Sequence, residues 1–74
     1  MVKLSELHKG DSATITRIAD QGLALKLLDM GCIPGETIRL EQIAPLGDPL
    51  AVSVGGTLLS IRLQEAETIL LEKF

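Results

Sequence analysis

Short stretches in which apolar and polar residues alternate, separated by glycine and proline, run through most of this chain. Residues 50–54 alternate cleanly, and residues 59–63 alternate again after the pair Gly55-Gly56. A two-residue glycine turn between two alternating segments is typical of a β-hairpin. The chain is therefore predicted to consist mainly of short antiparallel strands.

Three further segments, residues 12–19, 36–43 and 69–74, predict strands. In the first two the alternation slips by one residue, at Ile18 and at Ile43. A slip moves a side chain to the opposite face of the sheet unless the strand contains a bulge or bend. Because bent strands suit a small closed sheet, the predicted fold is mostly β, an SH3-like barrel of about five strands.

One α-helix is predicted to be inserted in this barrel, over residues 21–31, with Asp20 as its N-cap and Gly31 as its C-terminal cap. Its apolar side chains cover an arc of about 220°, whereas packing on one core requires little more than about 100°. The helix is therefore either deeply buried or presents spare apolar surface. Leu25 and Met30 lie at the two edges of the arc, and a spare surface there predicts contact with a partner.

Residues 44–49 are predicted to form a loop, because two prolines and a glycine do not fit a central strand. Asp48 has a plain structural role available, which is to accept hydrogen bonds from backbone amides. Leu46 has no such role, so it either covers the end of the barrel or contacts a partner. The candidate partner-binding residues are Leu25, Leu28, Met30, Leu46 and Asp48.

The composition argues against several classes of ligand. The 74 residues are 46% apolar, carry a net charge of −3 and include no Trp, no Tyr and a single Phe. An acidic chain is a poor default binder of nucleic acid, and stacking platforms for bases are missing. Proline-rich peptides need aromatic walls, which are missing too. We expect one domain over residues 1–74 that binds neither nucleic acid nor proline-rich peptides.

The single cysteine, Cys32, has no partner for an internal disulfide, which is typical of a reducing compartment, and we expect a cytoplasmic protein. Cys32 follows the predicted helix and is expected to be a small buried apolar residue. No run of residues approaches the about 18 to 20 apolar residues of a membrane-spanning helix. Direct insertion into a membrane is therefore not expected.

Motifs for metal binding and catalysis are also missing from the sequence. His8, Cys32 and the scattered carboxylates show none of the spacings that place two or more ligands on one metal ion. The serines lack a nucleophile-elbow pattern, and Gly55-Gly56 joins two strands and so does not open a helix as a phosphate-binding loop would. We therefore expect no enzymatic activity, no resident cofactor and no metal site.

Four groups of residues form a recognisable series: Leu4-Ser5-Glu6-Leu7 with Gly10-Asp11 at the start, residues 27–35 (LLDMGCIPG) in the centre, residues 44–49 (APLGDP), and Leu59, Ile61, Arg62, Glu65 and Ala66 near the end. Together they resemble the FeoA family, small cytosolic partners of the bacterial ferrous iron transporter. The resemblance covers nearly the whole chain, in order and at the spacing of a full domain.

The resemblance implies an SH3-like barrel without established enzymatic activity. It implies binding to the G-protein-containing membrane subunit of the transporter, with an effect on transport or on its nucleotide cycle. The chain is also similar to the C-terminal domain of iron-dependent repressors, but it lacks their DNA-binding and dimerisation domains. The alternative is a small domain that binds ferrous iron itself, as a carrier or a sensor. Spare apolar surface also allows weak self-association.

A partner of a GTP-hydrolysing protein can supply an arginine finger, and Arg17, Arg39 and Arg62 are the candidates for that role. All three fall in predicted strands, whereas a finger needs a projecting loop. The plainer interpretation is that they lie on a solvated strand face and pair with nearby glutamates.

Overall fold

The computed structural model describes residues 1–73. Its strands are β1 (Val2–Lys3), β2 (Ser12–Ile18), β3 (Thr37–Ile43), β4 (Leu50–Val54), β5 (Thr57–Ile61) and β6 (Ile69–Lys73). The helices are α1 (Gln21–Leu28), α2 (Leu63–Ala66) and a 3-10 turn at Leu4–Glu6. The strands form one antiparallel sheet in the order β1-β6-β2-β3-β4-β5. The predicted mostly β fold with one inserted helix is confirmed.

Both predicted slips are β-bulges. In the pairing of β2 with β6, Ile15 lies opposite Leu71 and Arg17 lies opposite Leu70, so Thr16 is the extra residue. The Thr16 hydroxyl donates to the Leu70 carbonyl at 2.9 Å. The bulge returns Ile18 to the buried face, which explains why its position appears out of phase in the sequence. A second register shift, between Leu40 and Gln42, bends β3.

The core lies inside the curved sheet and is closed by α1 and by the segments that precede β2 and β6. Among residues 1–73 every buried residue is apolar, as the alternation predicts for strands with one buried face. The largest fully buried side chains are Leu4, Ile15, Ile38, Leu40, Ile61, Ile69, Leu71, Val52 and Cys32.

The predicted boundaries differ from the observed ones in three places. α1 ends at Leu28, three residues before the predicted end, because Met30 and Gly31 donate to carbonyls three residues back and form a turn. Gly31 has the predicted left-handed conformation (φ +77°). The return strand β5 ends at Ile61 and not at residue 63, because α2 begins at Leu63. The two-residue strand β1 was not predicted.

The 3-10 turn at Leu4–Glu6 follows β1 directly and places Leu4 in the core. The predicted closing strand over residues 69–74 corresponds to β6, and Phe74 lies outside the described residues.

Candidate partner-binding surface

Helix α1 is positioned by hydrogen bonds at both ends. The Leu23 amide donates to Oδ1 of Asp20 at 3.1 Å, which confirms Asp20 as the N-cap. At the other end the Cys32 amide donates to the Leu27 carbonyl at 3.1 Å, so the chain folds back under the last turn. The following Pro34-Gly35 turn is fixed beside β2, because the Gly35 amide donates to the Ile15 carbonyl at 2.7 Å.

The apolar arc of α1 is wider than the surface that the core covers. Leu23 and Leu27 are buried in the core, and Ala24 packs against it. Leu25 is 70% exposed and Leu28 is 54% exposed. Of the two outcomes expected from the arc, deep burial and a spare apolar surface, the structure has both, on different sides of the same helix.

The exposed side of α1 forms one wall of a cavity of about 390 Å³, which we call the α1 groove. The helix contributes Gln21, Ala24, Leu25 and Leu28, four residues whose spacing places them on one helical face. The remainder of the lining is Ile18, Cys32, Ile33 and Pro34. Gln21 is the single non-apolar side chain of the eight, so the α1 groove presents an uncharged apolar surface.

Cys32 is part of the lining of the α1 groove, but none of its surface is accessible to solvent. Burial raises the pKa of its thiol, because desolvation disfavours the charged thiolate. The thiol is therefore neutral at physiological pH and behaves as a small apolar residue, as predicted.

The structure brings together only two of the five predicted partner-binding residues, Leu25 and Leu28. Met30, 44% exposed, lies just beyond the C-terminal end of α1. It lines a second cavity, formed by α1, β5 and Glu65, which we call the edge groove. Leu46 is 96% exposed in the loop between β3 and β4. Asp48, in the same loop, accepts a hydrogen bond from the Leu63 amide at 2.9 Å. Of the five residues, only Leu25 and Leu28 line the α1 groove.

Sequence reasoning missed several residues that line the two grooves. Ile33 and Pro34 were not predicted as site residues, and Ile18 was assigned only to a bulge or bend, although all three line the α1 groove. Leu58 is 67% exposed in β5 and lines the edge groove. The signal for Leu58 was present, because it is apolar at a position where the alternation of residues 59–63 leaves an outward-facing side chain.

The structure also places the arginine-finger candidates and the candidate metal ligand His8. Arg17 and Arg39 lie in strands, as predicted, and Nε of Arg39 is 3.6 Å from Oε1 of Glu41. Arg62 is not in a strand, which corrects the prediction: it precedes α2, and its amide donates to Oε1 of Glu65 at 3.0 Å. Nδ1 of His8 lies 3.6 Å from Oδ2 of Asp11.

Two observations concern metals and membranes. In the part of the chain that the structure describes, no three His, Cys, Asp or Glu side chains are grouped so that they could hold a metal ion. Over the same residues, no helix has the length and apolar character needed to span a membrane.

Comparison with known proteins gives one family. Residues 2–73 match the model of the FeoA domain. A relative from Porphyromonas gingivalis, named Fe(2+) transport protein A/Fe(2+) transporter FeoB fusion protein, is 40% identical over 72 residues. The matched region is 96% of this chain, and the chain spans only 8% of the length of the fusion protein.

Two solved structures illustrate the similarity of fold. The solution NMR structure of FeoA from Chlorobium tepidum has a TM-score of 0.93 and 39% identity, with 99% of this chain and 70% of that chain covered. The crystal structure of FeoA from Stenotrophomonas maltophilia complexed with zinc, described as a prokaryotic SH3 domain protein, has a TM-score of 0.84 and 31% identity. That match covers 97% of this chain and 91% of the other.

Proposed function

The chain belongs to the FeoA family, and we propose that it is a non-enzymatic accessory protein of bacterial ferrous iron uptake. In this proposal, residues 1–74 act in the cytoplasm as one docking domain that binds the G-protein-containing membrane transporter and modulates transport or its nucleotide cycle. The fold is SH3-like, as it is in the relative from S. maltophilia. The role in ferrous iron uptake follows from the family.

The observation that carries the proposal is the fusion of the two proteins in P. gingivalis. A covalent link between two binding domains raises their effective concentration to about the millimolar range for a short flexible linker. A link of this kind is useful when the linked domains contact each other. The fusion therefore supports FeoB as the partner of this separate chain.

The α1 groove is the surface that fits such a partner best. It combines the exposed Leu25 and Leu28 with a lining that carries no charge. Complete burial of one leucine side chain contributes about 1.5–3 kcal/mol, so two leucines covered by a partner supply a useful share of a binding free energy. Exposed apolar surface of this kind on a small domain is typical of an interaction site.

Docking modulates the transporter only if the domain prefers one of its states. A bound protein shifts a conformational equilibrium by no more than its difference in affinity for the two conformations. We therefore expect the affinity for the transporter to differ between its GTP-bound and GDP-bound states. No catalytic group is needed for this effect, and the neutral buried thiol of Cys32 supplies none.

The test is capture of the full-length transporter from detergent-solubilised membranes by the wild-type chain and by folded variants. Leu25→Glu and Leu28→Glu place a charge in the apolar α1 groove and are expected to abolish capture. Leu58→Glu makes the same chemical change at a similarly exposed leucine on β5 and is expected to leave capture intact. Leu46→Glu tests separately whether the loop between β3 and β4 contributes.

The outcomes separate the partner from the surface. Capture that survives both α1 variants keeps the transporter as partner and removes the α1 groove from the proposal. No capture by the wild-type chain, with nucleotide and Fe²⁺ present, overturns the proposal. Because the S. maltophilia relative was crystallised with zinc, calorimetry with Fe²⁺ or Mn²⁺ then tests direct metal binding. Stoichiometric heat is the result that the alternative function requires.

Weak self-association stays a prediction that rests on the same exposed leucines. Sedimentation of the wild-type chain and of Leu25→Glu checks it. A concentration-dependent dimer that the variant lacks would place the self-contact on the α1 groove.

A further inference from the structure

The two edges of the sheet are protected very differently. β1 has two residues, one of which is Lys3, and it runs directly into the 3-10 turn. A short strand that carries a lysine is a usual protection against pairing with another strand. β5, at the other edge, has five residues and pairs with β4 without a register shift. Its sequence, TLLSI, contains no charged residue and no proline, so this edge lacks these usual protections.

The edge groove runs along the free edge of β5. Leu58 and Ser60 point to one face of the sheet, and Leu59 and Ile61 point to the other, because side chains alternate along a strand. All four residues line the edge groove, whose volume is about 260 Å³. A cavity lined by four consecutive residues of an edge strand, whose side chains alternate between the two faces, runs along that strand. The unpaired backbone edge of β5 therefore borders this cavity.

The opposite wall of the edge groove is a helical stripe. Leu23, Lys26 and Leu27 are spaced on one face of α1, and Met30 extends this stripe just beyond the helix. The edge groove is thus a channel between a strand edge and an adjacent helix. Adding a strand to an exposed edge is one of the common modes of peptide recognition: the edge supplies backbone hydrogen bonds, and neighbouring pockets select alternate side chains.

We propose that the edge groove binds an extended, uncharged segment of another protein as an additional strand on β5. The charges that border the edge groove define the chemistry of this segment. β5 offers no charge, and the two charged groups of the groove, Lys26 Nζ and Glu65 Oε2, are 3.9 Å apart and offset each other. The apolar stripe of α1 selects apolar side chains at alternate positions of the segment.

A second copy of this chain fits the edge groove poorly. The helix wall stands beside the edge of β5, so antiparallel pairing of two β5 edges would bring α1 of one copy against α1 of the other. Each copy also carries a net charge of −3, which opposes association. A single extended segment brings no such helix wall with it. This inference goes beyond the proposed function and uses a different surface from the α1 groove.

The experiment is an NMR titration of the full, ¹⁵N-labelled chain. The probes are acetylated and amidated hexapeptides in which Val, Ile or Leu alternates with Ser or Thr. We expect amide shifts at Thr57–Ile61 and along the α1 stripe, with slower hydrogen exchange at the β5 amides that gain acceptors. Proline at the centre of a peptide removes a backbone donor and is expected to weaken binding by about tenfold.

Two variants of the chain locate the effect. Because Leu58 is exposed, we expect the Leu58→Glu variant to fold. We expect it to weaken peptide binding by at least about tenfold, because it places an unpaired charge on the edge of β5. Leu25→Glu changes the α1 groove and is expected to leave the titration unchanged. No shifts up to the solubility limit of the peptides, or shifts confined to residues of the α1 groove, would overturn the inference.

The same variants keep this inference separable from the proposed function. Failure of the peptide titration, together with transporter capture that is lost in Leu25→Glu, removes the edge groove and leaves the proposed function intact. Peptide binding to β5 without any transporter capture overturns the proposed function and leaves the edge groove as a binding site. Sedimentation that shows a dimer lost specifically in Leu58→Glu would make a second copy the occupant and overturn the proposed one.

Discussion

The Leu63 amide donates to Oδ1 of Asp48 at 2.9 Å, which ties the loop between β3 and β4 to the start of α2, fifteen residues later. The first amides of a helix have no partner within the helix, and a carboxylate there also interacts favourably with the helix dipole. Asp48 was predicted as a partner contact, with the capping of amides as its plainer role. The structure shows the plainer role, and the partner contact stays a prediction.

Replacing Asp48 with Ala is therefore expected to lower the free energy of unfolding by about 0.5–2 kcal/mol, the usual cost of losing a side-chain cap. Urea unfolding followed by circular dichroism measures the change. Asp29→Ala is the matched control, because Asp29 follows the C-terminal end of α1, where a negative charge is not favoured. Equal losses in the two variants would contradict the capping role.

The division of α1 into two sides predicts a large difference between two leucines on the same helix. Leu27 is buried in the core, so Leu27→Ala is expected to cost about 2–5 kcal/mol of unfolding free energy. Leu25 is mostly exposed, so Leu25→Ala is expected to cost no more than about 0.5 kcal/mol. Urea unfolding of both variants checks this. Similar losses would mean that Leu25 is covered in the folded protein.

The buried thiol of Cys32 predicts a loss of stability at alkaline pH. Burial raises the pKa of the thiol in the folded state, whereas the unfolded chain titrates near pH 8.5, at about the ordinary value. Above that pH the unfolded state binds fewer protons than the folded state, so the free energy of unfolding falls as the pH rises toward the folded pKa.

Cys32→Ala isolates this effect, because it removes the thiol and leaves the other alkaline groups unchanged. We expect the urea midpoint of the wild-type chain to fall more steeply above pH about 8.5 than that of the variant. Parallel curves for the two proteins would show that the thiol titrates normally, and hence that it is open to solvent.

Asp11 predicts a loss of stability at acid pH. The His8 amide, which donates to Oδ2 of Asp11 at 2.9 Å, lowers the pKa of the carboxyl group, and Lys73 at 3.4 Å contributes in the same direction. A lowered folded pKa gives stability that is present above the unfolded pKa of about 3.9 and is lost as the pH falls through the folded value.

Asp11→Asn is accordingly expected to be less stable than the wild-type chain near pH about 7, with the difference shrinking near pH about 2.5. Urea midpoints at the two pH values measure this. Asp29→Asn is the control for a general change of net charge. A difference between Asp11→Asn and wild type that is independent of pH would assign the effect to shape and not to charge.

Much of the fold could be read from the sequence because its signals are local. The N-cap at Asp20, the left-handed Gly31 and the two slips at Ile18 and Ile43 each depend on a few neighbouring residues. The ends of α1 and β5 were wrong by two or three residues. At those points a turn or a new helix competes for the same backbone hydrogen bonds, and the winner depends on distant contacts.

The candidate sites were less predictable, because a surface is assembled from segments that are distant in the sequence. The wide apolar arc of α1 left deep burial and exposed leucines as alternatives, and the structure has both. The arc could not indicate that Ile33 and Pro34 line the same cavity as Leu25, or that Leu58 of β5 lines the same cavity as Met30. Met30 lines the edge groove, and Leu46 and Asp48 lie in the loop between β3 and β4, so only Leu25 and Leu28 of the five predicted residues line the α1 groove.

The sequence by itself determined the type of the main strands and of α1, since periodicity, caps and turn residues act within a few positions along the chain, and its motifs resemble those of the FeoA family. The tertiary structure alone decided which part of the apolar surface remains uncovered. That depends on the sheet order, which leaves β5 at an edge beside α1, and on the Gly35 hydrogen bond to Ile15, which fixes the wall of the α1 groove. Burial is a property of packed neighbours, and only the folded chain specifies which neighbours a side chain has.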